Sequence, residues 1–184
     1  MSAKVKKREL KDTYDKEVTN PKNIIVNFKY AFSLMSLNIN KFNNHFPTDD
    51  AMKSFHKKLF TEIIPTISQK TFNTLAAEKY KFHKISEDKR DLVERIVIEL
   101  VENTKKINDY TPILNDLHEI EFFEISTPKS NSKSIRLIGT IDGNEFIVYF
   151  IDWHHMVYPD ERYINNDIKK YDVSLISCND EVTV

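Results

Sequence analysis

Glycine is almost missing from this chain, with two in 184 residues, Gly139 and Gly143. A glycine loop that cradles phosphates needs several in close succession, so Walker loops and dinucleotide-binding turns are excluded. Cysteine is scarcer still. Cys178 stands alone, which rules out an internal disulfide framework and a cysteine-built zinc site, and its isolation fits a reducing compartment. No apolar run approaches the ~20 residues of a membrane helix. The charged opening MSAKVKKRELKD lacks the apolar core of a signal peptide. A cytoplasmic protein without membrane contact is expected. The HExxH and nucleophile-elbow motifs are also missing. A net charge of -1 provides no global field toward nucleic acid.

Aromatic residues are plentiful. Twelve Phe and eight Tyr, within a hydrophobic fraction of 40%, support a packed core. Charge is unevenly spread: residues 1–84 carry 16 Lys and Arg against 8 acids, a net of +8, and residues 85–184 carry 11 against 20, a net of -9. Such asymmetry points either to a basic binding face beside an acidic one or to complementary surfaces within one domain. The expected organisation is a flexible charged arm over residues 1–22, a single domain over 23–160 and a C-terminal extension over 161–184.

Periodicity outlines the domain. Ile24–Phe32 alternates, placing Val26, Phe28, Tyr30 and Phe32 on one side of a strand. Asn38–Pro47 reads as an Asn-rich loop. Thr48-Asp49-Asp50 caps a helix whose stripe runs from Met52 to Ile64 until Pro65 stops it. A short helix over Phe72–Tyr80 leads into the basic–aromatic run Lys79–Lys84. Ser86 opens a long amphipathic helix with Leu92, Val93, Ile96, Val97, Leu100 and Val101 on its apolar face. A meander follows from Glu119, with strands Ser134–Ile141 and Glu145–Ile151 joined at Asp142-Gly143-Asn144. The run FIVYFI is apolar on both faces, which predicts a central strand. The fold class is therefore α+β, an N-terminal strand and helices packed on a C-terminal antiparallel β-meander.

Polar residues cluster just past that central strand. Asp152, His154, His155 and Tyr158 follow it closely, and Arg136 stands at the start of its hairpin partner. Adjacent histidines on an extended chain face opposite ways, so one metal ion between His154 and His155 is disfavoured, and neither metal nor cofactor is expected. Arg136 suits a phosphate, His155 a proton transfer and Tyr158 the orientation of a substrate. With Asp152 these are the parts of a metal-independent endoribonuclease. A structural account is equally concrete: Asp152 accepts backbone N–H groups in a turn, His155 is a half-buried hydrogen-bonded residue, and Tyr158-Pro159 plugs the sheet end.

The spacing RxxGxxxxxxF followed by DxxHxxYP resembles the C-terminal signature of an uncharacterised family carried by phages, plasmids and integrated elements of low-GC Gram-positive and related bacteria. The resemblance covers roughly residues 25–160. The strand–helices–meander order is in turn similar to RelE-type mRNA interferases of toxin–antitoxin systems. That resemblance implies RNA or the ribosome as partner, with Arg136 on phosphate, His155 as acid or base and Tyr158 positioning the substrate. Lys57, Lys58, Lys81, His83 and Lys84 would hold the nucleic-acid backbone. The alternative from the residues is a non-catalytic protein of a phage defence or anti-defence system. It would act by binding a protein partner, such as a defence-complex subunit, through its acidic half, whereas an antitoxin would be the protein partner of the toxin-like reading.

Overall fold

The computed structural model describes residues 22–78, 81–105, 109–126, 135–159 and 166–174. Nearly all of the charged arm, the 127–133 loop and Cys178 lie outside them. In chain order the elements are β1 (Ile25–Asn27), β2 (Asn38–Ile39), β3 (Phe42–Asn43), α1 (Asp49–Lys58), α2 (Ile64–Ser68), α3 (Phe72–Ala77) and β4 (Lys81–Lys84). After them come α4 (Glu87–Thr104), α5 (Thr111–Asn115), β5 (Phe123–Ser126), β6 (Arg136–Asp142) and β7 (Glu145–Asp152). The main sheet has the order β1-β7-β6-β5-β4. β4 to β7 pair antiparallel, whereas β1 runs parallel to β7. The fold is α+β, with a mixed sheet whose meander half is antiparallel.

β7 lies between β1 and β6 and is buried on both faces, as its unbroken apolar sequence requires. On one face Ile138, Phe150 and Phe122 pack against Val93, Ile96, Val97 and Leu100 of α4. On the other, Ile125, Leu137, Phe146 and Val148 meet Phe55, Leu59, Ile63, Ile67 and Phe72 from the α1–α3 layer. Gly143 takes φ 58 in the β6–β7 turn, a conformation a side chain disfavours. Gly139 has a different reason. The register slips there, and a Cβ on Gly139 would stand 2.2 Å from the Ile147 carbonyl oxygen.

Three expectations need correction. The strand foreseen over Ile24–Phe32 ends at Asn27, because the Ser33 hydroxyl takes the Val148 carbonyl at 2.6 Å where a further strand residue would sit. Its side chains then part company: Val26 and Phe28 join the core beside α1, and Tyr30 and Phe32 the core beside α4. Pro65 does not stop the helix. A π-helical turn, Leu59–Ile63, with the Ile64 N–H bonded to the Leu59 carbonyl, links α1 to α2 through the proline. The Asn-rich loop contains the β2–β3 hairpin, with Lys41 left-handed at φ 71. Within the C-terminal extension, Ile168 is buried and Val173 pairs with Phe46.

Candidate functional site at the end of the sheet

Antiparallel register sets Arg136, the first residue of β6, opposite Asp152, the last of β7. On the next strands Ser126 stands opposite Arg136 and His83 opposite Glu124. Paired positions share a face, so His83, Glu124, Arg136 and Asp152 all project on the α4 side. The pattern gathers charge at one end of an otherwise apolar surface.

Asp152 is completely buried. Its Oδ1 accepts the Met156 N–H and its Oδ2 the Val157 N–H, both at 2.8 Å. This grip reverses the chain within three residues, which forces His155 into the left-handed region at φ 64. Burial pushes the Asp152 carboxyl above the usual carboxylate range, against the opposing pull of the two amides, Arg136 and His155. The Asp-x-x-His-x-x-Tyr-Pro spacing is thus first a turn, with Asp152 as its anchor.

Arg136 is held on two sides. Its Nε lies 3.4 Å from Glu124 Oε1, and Glu124 is only 1% exposed. Its Nη1 donates to the Tyr158 carbonyl at 3.3 Å, and its guanidinium stands 5.8 Å from the Tyr158 ring centre. Tyr158 is a junction. Its hydroxyl accepts the Ser86 N–H at 2.9 Å and shares a hydrogen bond with the Ser86 hydroxyl at 3.1 Å, at the mouth of α4. The His83 ring meets it edge-on at 5.6 Å. Ser86 therefore does not cap α4 with its own side chain.

The structure brings together Arg136, Asp152 and Tyr158, seats His155 in the loop they form, and adds His83 from the supposed backbone-binding set. The other basic candidates lie elsewhere. Lys57 and Lys58 end α1, on the opposite face of the sheet. Lys84 forms an ion pair with Glu121, and Lys81 contributes its backbone to β4 with its side chain outside the described part. His154 sits apart, its Nε2 donating to the His45 carbonyl at 2.9 Å. Among the described residues, no group of three or more His, Cys, Asp or Glu is gathered as a metal would require. No described helix is long and apolar enough to cross a membrane.

Glu124 and Ser86 are members that sequence reasoning missed. A carboxylate in the apolar run Phe122–Ile125 was the available signal, since a charge on a buried strand needs a partner.

The fold and site define an α+β domain with a charged cluster locked beneath one end of its sheet. The chain belongs to the family described as Uncharacterised protein UU032, whose profile matches residues 28–180. No curated protein and no solved structure shows significant similarity to it.

Proposed function

We propose that the protein is an RNA-binding, RNA-cleaving protein of RelE-like, toxin-like character, borne by a mobile element, whose phosphodiester site is the sheet-end cluster. One observation carries the reading: the His83 ring, edge-on, and the Arg136 guanidinium both lie against the Tyr158 ring, three residues after His155. In this reading His155 moves the proton and His83 faces the same substrate from across Tyr158. Arg136 lends positive charge from behind the Tyr158 ring. Asp152 touches no substrate and positions His155 through the turn it anchors. The test is induced expression, with growth arrest as the readout. His155→Ala should relieve the arrest while leaving the thermal melting profile nearly unchanged. Full toxicity in a folded His155→Ala variant, or none in the natural sequence, sinks the reading.

A second reading is favoured by the confinement of Asp152 and Arg136, whose polar atoms bind Met156, Val157, Tyr158 and Glu124. In it the chain is a non-catalytic protein of a phage defence or anti-defence system that occupies a protein partner, such as a defence-complex subunit. A salt-sensitive pull-down of a defined partner that survives His155→Ala supports this second reading over the first.

A further inference from the structure

Away from the cluster, on the α1–α3 layer of the sheet, an aromatic side chain stands in solvent for a reason written in the backbone. Pro65 has no N–H to give the helix, and the ladder widens into the π-helical turn at Leu59–Ile63. Leu59 and Ile63 point into the core, while Phe60, between them in sequence, is 41% exposed. It is not isolated. The Phe28 ring lies 6.1 Å from it at 39°, and the exposed His56 ring 4.7 Å away at 57°. Phe60 and His56 thus make an outward-facing surface bordered by Phe28, which is half-buried against the core.

The charge around these rings has one dominant sign. Between residues 53 and 62 the chain carries Lys53, Lys57 and Lys58 against the single acid Glu62. Lys53 and Lys57 are exposed, whereas Lys29, next to Phe28 in sequence, holds its ammonium 5.6 Å from the Tyr30 ring centre on the α4 side. Glu62 follows Phe60 by two residues, about half a helical turn round. Asp49 and Asp50 lie at the start of α1, one turn before Lys53 and about two turns before Lys57. Exposed rings with interspersed lysines complement a ligand that is anionic along its length and offers flat apolar faces. Unpaired nucleotides have both properties.

We infer that Phe60 and His56, bordered by the half-buried Phe28, form a stacking platform for the bases of a single-stranded nucleic acid, with Lys53 and Lys57 taking its phosphates. This rests on the reading of the chain as RNA-binding, but it places a contact surface on the face of the sheet opposite the cluster.

The probe is a short fluorescein-labelled oligouridylate, titrated with the full chain at low salt and read by anisotropy. Phe60→Ala changes an exposed side chain and should leave the melting profile intact, yet weaken binding about fivefold to a hundredfold, the loss expected for one stacked base. Lys57→Ala should reduce the slope of log affinity against log salt by about 0.7. Wild-type affinity in Phe60→Ala, with loss in His155→Ala, overturns the platform and leaves the cluster reading standing. The reverse pattern keeps the platform and removes the cluster from RNA binding. Failure of the natural sequence to bind the oligonucleotide overturns the inference. So does light scattering that shows a dimer dissolved by Phe60→Ser, because the patch would then belong to a second copy of the chain.

Discussion

Two polar networks flank the last turn of β7, and their chemistry differs. On the α4 side, Asp152 leads into a charged network of Glu124, Arg136 and three main-chain groups. On the other side, Trp153 and His154 lead into a network of amides. There the Asn44 carboxamide accepts the Leu37 N–H at 2.6 Å and donates to the Met35 carbonyl at 3.2 Å, while Trp153 Nε1 donates to the Asn44 carbonyl at 3.0 Å. Asn43 donates to the Ile168 and Tyr171 carbonyls, tying down the described part of the C-terminal extension. Neutral amides satisfy buried backbone without charge, so they hold shape under most conditions. A buried charged network is costly to break and responds to pH. One side of β7 is held mainly by neutral amides and the other by buried charge.

The largest effect tests the charged side. Asp152→Ala strands the part-buried Met156 and the buried Val157 N–H groups, so urea denaturation should show a loss of about 3–5 kcal/mol. Asn44→Ala removes neutral hydrogen bonds and should cost about 2 kcal/mol in the same measurement. An equal or larger loss from Asn44 would reverse the ranking of the two networks.

The pH response sharpens the contrast, because the networks lean in opposite directions. Burial holds the Asp152 carboxyl above its unfolded value, so the folded state keeps a proton that the unfolded chain has released. The stability this group contributes is present in acid and falls as pH rises from about 4 toward the raised value. His45, on the amide side, is lowered by burial, with the Asp172 charge and a Leu37 hydrogen bond opposing. Its contribution is complete above about 6.5 and is lost as pH falls below that. Denaturation between roughly pH 4 and 8 should therefore show Asp152→Asn removing a decline toward neutrality, and His45→Gln removing a decline toward acid. Identical profiles in both variants would break the comparison. The smallest effect belongs to Tyr158→Phe. Only the hydroxyl link to Ser86 is lost, at about 1 kcal/mol by urea denaturation, and faster amide exchange at the start of α4 should accompany it.

What the sequence revealed follows from the range of the interactions involved. The α4 stripe and the β6–β7 hairpin are local patterns of 3.6 and 2 residues, and both were legible. The central place of β7 was legible because both its faces are apolar. The parallel pairing of β1 was not, since nothing in Ile25-Val26-Asn27 names a partner near residue 145. Asn43 and Asn44 looked like loop composition, because an amide carries no sign of being buried until its carbonyl partners are known. At the site, Arg136, Asp152 and Tyr158 were found as a group. Glu124 and His83 reach that group only through cross-strand register, which a linear pattern does not encode.

The parallel pairing of β1 also has a consequence for how the chain is made. Its partner positions, Ile25 with Glu145 through Asn27 with Ile147, are separated by 120 residues. At about 5–20 residues per second, a ribosome needs on the order of ten seconds to supply the second strand after the first has emerged. β1 therefore waits unpaired while the intervening residues are made, and its edge of the sheet closes only when β7 leaves the exit tunnel. Loop closure over such a distance makes this the slow event of folding. The β1–β7 edge can therefore form only after β4, β5 and β6 have been made.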